Sequence, residues 1–120
     1  MCEDVRDETG NKKSLMGVFG GDILVPNFPA AIQFAVYFQY IPKNEDPQQF
    51  EIKVRLLQGE VEVGKGRFGA DRTELPILTM VLPRGIILFE KPTTLKLLAA
   101  VHDSPEVEIL TKQIREGAVT

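Results

Sequence analysis

The sequence predicts an all-β fold: a two-sheet antiparallel sandwich, immunoglobulin-like, of roughly seven to nine strands. Three observations predict it. Phe50–Leu57 alternates apolar and charged residues, Gln58-Gly59 forms a corner, and Glu60–Val63 alternates back. Ala31–Ile41 sets Ile32, Phe34, Val36, Phe38 and Tyr40 on one face at a period of two. Short apolar segments then recur between turn residues along the whole chain.

The elements follow in order. Cys2–Arg6 reads as extended, Thr9-Gly10-Asn11 as a turn, and Lys13–Phe19 as the returning strand of a first hairpin. Gly20-Gly21-Asp22 breaks it, and Ile23-Leu24-Val25 is a short strand stopped by Pro26 and Pro29. Ala31–Ile41 is the strongest strand, its second face carrying Gln33, Ala35, Tyr37 and Gln39. Pro42–Pro47 is a loop. With Gln58 and Gly59 as turn residues, the next hairpin sets Leu56 opposite Val61, Val54 opposite Val63 and Arg55 opposite Glu62. That register gives one dry face and one wet face. Gly64, Gly66 and Gly69 on the return strand predict a bulge or bend.

Ala70–Glu74 reads as a loop and Ile77–Leu82 as a buried strand. Pro83-Arg84-Gly85 reads as a turn before a short strand, Ile86–Phe89, and Glu90-Lys91-Pro92 breaks the chain again. Thr94–Val101 resumes with Leu95, Leu97, Ala99 and Val101 on one face. Two readings compete at the C-terminal end. Ser104-Pro105-Glu106 has the form of a helix start, with Val107, Leu110 and Ile114 at helical spacing and Gly117 as a cap. The alternative makes His102–Pro105 a turn and Val107–Ile114 a last strand beside Thr94–Val101. Consistency with the preceding β segments favours the strand.

Composition bounds function. The chain of 120 residues reads as one domain, and 43% hydrophobic residues suffice for a core without staples. A net charge of −3, without a basic stripe, argues against nucleic acid as a partner. A single cysteine, Cys2, excludes an internal disulfide and suits a reducing compartment. No apolar run reaches the roughly 20 residues that cross a bilayer, and the acidic start is not a signal peptide. A cytoplasmic protein without membrane contact is the expectation.

No motif for chemistry stands out. His102-Asp103-Ser104 holds the residue types of a hydrolase triad, but adjacent residues do not converge as a triad must, and a turn accounts for them. Cys2 with His102 is a conceivable thiolate–imidazole pair, against the plainer reading of Cys2 as a small buried hydrophobe. Cys and His together number two, too few for structural zinc. Glu3, Asp4, Asp7 and Glu8, or Asp103, Glu106 and Glu108, lack calcium-loop spacing. Gly17, Gly20 and Gly21 before Asp22 lack the lysine and the helix that a phosphate loop needs. The sequence therefore assigns no catalytic, cofactor-binding or metal residue. Its candidate interaction surface is Gln33, Tyr37 and Gln39 with Arg55 and Glu62, an aromatic flanked by amides beside a charged pair.

The opening Cys2-Glu3-Asp4-Val5-Arg6, then Gly10, then Ser14–Ile23 with its Gly17-Val18-Phe19, resembles an uncharacterised bacterial family of similar size. Leu82-Pro83-Arg84-Gly85 and Leu97–Val101 extend the resemblance along the chain. It implies no activity and no catalytic residue. The expectation is a non-enzymatic protein-interaction or accessory module, with self-association as one form of it. A module binding carbohydrate or another small ligand through Tyr37 is the alternative, and a hydrolase using Cys2 or Ser104 a third reading.

Overall fold

The computed structural model describes residues 1–8, 12–18, 20–43, 46–71 and 77–117. Among them are nine strands and no helix. They are β1 (Cys2–Glu8), β2 (Lys12–Val18), β3 (Ile23–Val25), β4 (Ala30–Tyr40), β5 (Gln49–Gln58), β6 (Val61–Asp71), β7 (Leu78–Phe89), β8 (Thr93–Val101) and β9 (Val107–Glu116). One sheet has the order β2-β1-β4-β7 and the other β3-β9-β8-β5-β6. This is an all-β architecture of two sheets. It departs from the antiparallel expectation where β3 runs parallel to β9 and pairs Ile23 with Ile114 and Val25 with Glu116.

The chain forms two compact units. The first comprises residues 1–38, 81–93 and 112–120. Its hairpin of β1 and β2 pairs Cys2 with Val18 through to Glu8 with Lys12; the predicted turn, Thr9-Gly10-Asn11, lies outside the described residues. Cys2 also stands opposite Ala35 of β4. The alternation read from Ala31–Ile41 buries Ile32, Phe34 and Val36, and Ala35 is buried beside Cys2. Ile23, Val25, Phe89 and Ile114 are buried in the same unit.

Pro83 does not turn the chain. β7 passes through Pro83-Arg84-Gly85 as one strand of 12 residues, where the sequence reads two strands and a turn. Among the described residues β7 stands last in its sheet order. A terminal strand tolerates a residue without an N–H wherever that position faces away from the one neighbouring strand.

The second unit comprises residues 39–80 and 94–111. Among the described residues its buried side chains are Phe50, Ile52, Val54 and Leu56 of β5, Leu95, Leu97 and Ala99 of β8, with Ala70 and Met80. β5 pairs with β8 in continuous register, Val54 opposite Ala99 and Leu56 opposite Leu97. The β5–β6 hairpin differs from its predicted register. Its turn is Gly59-Glu60, with Gln58 opposite Val61 and Leu57 opposite Glu62. Gly59 has φ 62° at the first turn position, the type II′ pattern, which only glycine meets without strain. A bulge between Leu56 and Leu57 then sets Leu56 opposite Gly64, Val54 opposite Gly66 and Arg55 opposite Lys65. Val61, expected in the core, is 65% exposed. The glycine-rich return strand does carry the predicted irregularity. Ala70 and Asp71, read as loop, belong to β6, while residues 72–76 lie outside the described ones.

Residues 107–116 form a strand, so the helical alternative is corrected. β8 and β9 are neighbours, joined by a turn in which Ser104 N–H donates to Val101 O at 2.9 Å and His102 has φ 52°. Gly117 is not a helix cap. Its N–H donates to Val25 O at 3.0 Å, continuing the parallel ladder where a Cβ would stand 3.2 Å from Leu24 Cδ2.

Candidate functional site

Arg55 organises the charged face of β5. Its Nε donates to Glu106 Oε2 at 2.6 Å and its Nη2 to Glu106 Oε1 at 2.7 Å, a two-pronged pair. Its Nη1 lies 3.9 Å from Glu62 Oε1. The predicted Arg55–Glu62 neighbourhood therefore exists, although the bulge makes Lys65 the residue directly opposite. Glu106 is the stronger partner. The hydrogen bond from Arg55 holds the Glu106 carboxyl below its ordinary range, and the same bond pushes the Arg55 guanidinium above its own. A guanidinium met by two carboxylates is a strap across the strands, poorly placed to receive an anionic ligand.

Gln33, Tyr37 and Gln39 come from one strand, β4, but its amides already have work within the protein. Gln33 Nε2 donates to Glu3 O at 3.3 Å, in the first unit. Gln39 Nε2 donates to Thr79 Oγ1 at 3.4 Å, in the second. Tyr37 is half-buried. A sugar platform needs an open ring with free amides beside it, and these amides are engaged. Farther along β4, Tyr40 is fixed by donating its hydroxyl to Asp46 Oδ2 at 2.6 Å and by an edge-on contact with Phe50 at 6.0 Å. Asp46 Oδ2 also accepts from Lys43 N–H at 2.7 Å, which closes the loop.

The residues considered for chemistry have structural partners. Cys2 is buried, its thiol directed at Asp4 O (3.3 Å) and Ala35 O (3.6 Å). His102 Nε2 stands 3.2 Å from Asp103 Oδ2. Glu108 bonds the Thr111 hydroxyl, and Asp22 receives Arg115 Nε at 3.0 Å. Gly20 and Gly21 lead into the strand β3, where no helix N-terminus awaits a phosphate. Among the described residues no group of three or more His, Cys, Asp or Glu could hold a metal ion. A cavity of about 410 Å³ opens between the end of β6 and the start of β7. Its lining includes Arg67, Asp71 and Thr79, one cation and one carboxylate, with Arg67 also 3.8 Å from Glu51.

The feature that the sequence reading missed lies on β7. Arg84, Ile86 and Leu88 are all exposed, alternating with half-buried Ile87 and buried Phe89. Ile86 is 70% exposed and Leu88 55%. The alternation was present in the sequence, and reading Pro83-Arg84-Gly85 as a turn concealed it. No protein-family model, curated protein or solved structure matches the chain. Among the described residues no helix is long and apolar enough to cross a membrane.

Proposed function

We propose that this protein is a non-enzymatic interaction module that meets a protein partner through the outward face and open edge of β7. One observation carries the reading: two large aliphatic side chains, Ile86 and Leu88, stand in solvent two residues apart on the terminal strand of a sheet. Isolated exposed aliphatics are ordinary, but a row of them on a terminal edge is a surface that natural sheets usually blunt unless it is used. Strand addition to such an edge supplies main-chain hydrogen bonds for affinity and alternate side chains for specificity. Gln33 and Tyr37 of β4, the next strand in the sheet, extend the candidate surface; Arg55 and Glu62 serve the strap instead. A single cysteine suits a cytoplasmic setting.

The test compares the protein with Ile86→Lys as bait in a lysate of the source organism, alongside sedimentation velocity. A protein retained by the parent and lost from the variant, or self-association lost in the variant, is the expected outcome. A parent that sediments as a monomer at all concentrations and retains nothing would refute the reading.

A further inference from the structure

Building on that reading, we infer that the partner of the β7 edge is a second copy of this chain, paired antiparallel about Ile87. The sequence of the strand is self-complementary in that one register. With Ile87 opposite Ile87 of the second copy, Ile86 meets Leu88, Leu88 meets Ile86, Arg84 meets Glu90 and Glu90 meets Arg84. The exposed face of the joint then reads charge, apolar, apolar, charge across the two-fold axis, each charge opposite its counter-charge. Arg84, Ile86, Leu88 and Glu90 are all exposed, as this pairing requires. Shifting the register by two residues sets Arg84 against Leu88 or Ile86 against Glu90, and the match is lost. A two-fold interface must be complementary to itself, and few strands are.

The backbone pairing starts from Pro83. A residue without an N–H costs no ladder bond only where its position faces away from the neighbouring strand, and the proposed pairing places Pro83 so. On that placement Gly85, Ile87 and Phe89, at even spacing from it, turn their N–H and C=O groups to the same outer side. In the proposed register these are the hydrogen-bonded pairs: Ile87 with itself, and Gly85 with Phe89. Nothing lies within 4 Å of a Cβ built on Gly85, which leaves room beside it. Pro83 also ends the ladder, so that it runs from Arg84 to Phe89, about 20 Å of strand, with Glu90 just past its end where the chain bends. The union continues one sheet through the axis, in the order β2-β1-β4-β7-β7-β4-β1-β2. A ladder this short is a small interface, and the dimer forms in the micromolar range, about 1–100 μM.

A charge exchange tests the register. Sedimentation velocity across about 1–500 μM compares the parent with Arg84→Glu, Glu90→Arg and the double variant, each first checked for an unchanged thermal transition. Each single exchange puts like charges opposite one another twice per dimer, and weakens dimerisation about tenfold. The double variant restores it. A parent dimer that ignores all three variants, or a double variant no better than the singles, overturns the pairing. A parent that stays monomeric yet captures another protein through Ile86 also overturns it, while leaving the interaction reading intact. A monomer that captures nothing removes both.

Discussion

Replacing Val54 with aspartate tests the dry face of β5 most severely. Val54 is 1% exposed, opposite Ala99 on one side and Gly66 on the other. A carboxylate there has no cation across from it, so burial raises its pKa from about 3.9 when unfolded to about 7 when folded. Each tenfold change in the ionisation constant is worth about 1.4 kcal/mol, so a rise of this size costs about 4 kcal/mol. That is a large part of the 5–15 kcal/mol typical of a domain. With a slope of about 1.5 kcal/mol/M, the urea midpoint at pH 7.5 falls by about 2.5 M. The sign fixes the pH dependence. The folded pKa is raised, so the charge penalty is absent below about pH 4, grows as pH rises, and is complete above about pH 7. Val54→Asn, polar but not titrating, loses stability without that slope. Urea unfolding of both variants at pH 4, 5.5 and 7.5 is the assay. A loss below about 1 kcal/mol, or equal loss for Val54→Asp at all three values, would refute the burial and the β5 face built on it.

Three further outcomes are expected. Gly59→Val forces a β-branched residue to φ 62° and costs about 1–2 kcal/mol in urea unfolding, with Gly59→Asn milder; equal stability would refute the Gly59-Glu60 turn. The Glu106 carboxyl titrates below its ordinary range by NMR, and in Arg55→Met it returns toward that range. Because its folded value is lowered, the strap's contribution is present above the ordinary carboxylate pKa and is lost as pH falls through the folded one; an unmoved midpoint contradicts the strap. Cys2, 1% exposed, reacts with a thiol reagent about a hundredfold more slowly in the native protein than in urea, and comparable rates would contradict its burial.

Most of the fold was legible because strand alternation is a local property. Ile23–Val25, Ala31–Ile41 and Thr94–Val101 declared themselves by period and by the prolines and glycines beside them. What failed depended on neighbours. Pro83 reads as a breaker unless the strand is known to lie at a sheet end, and strand order is not written in any one segment. Gln58-Gly59 and Gly59-Glu60 differ by one residue, and only the backbone conformation of Gly59 chooses between them. The contest between helix and strand at Ser104–Gly117 was settled by pairing with β8 and β3, against a sound set of local helix signals. The candidate surface followed the same division. Arg55 and Glu62 were found from alternation within one hairpin, whereas Glu106 reaches Arg55 only because β8 lies between β5 and β9. Ile86 and Leu88 were hidden by the misread turn.

Hydrogen exchange of the β7 amides at two protein concentrations tests the central claim most directly. If β7 pairs with a second copy about Ile87, the amides of Gly85, Ile87 and Phe89 exchange more slowly at about 500 μM than at about 5 μM, by a factor approaching about ten. Exchange at those three positions that is indifferent to concentration, with protection arising elsewhere or nowhere, contradicts it.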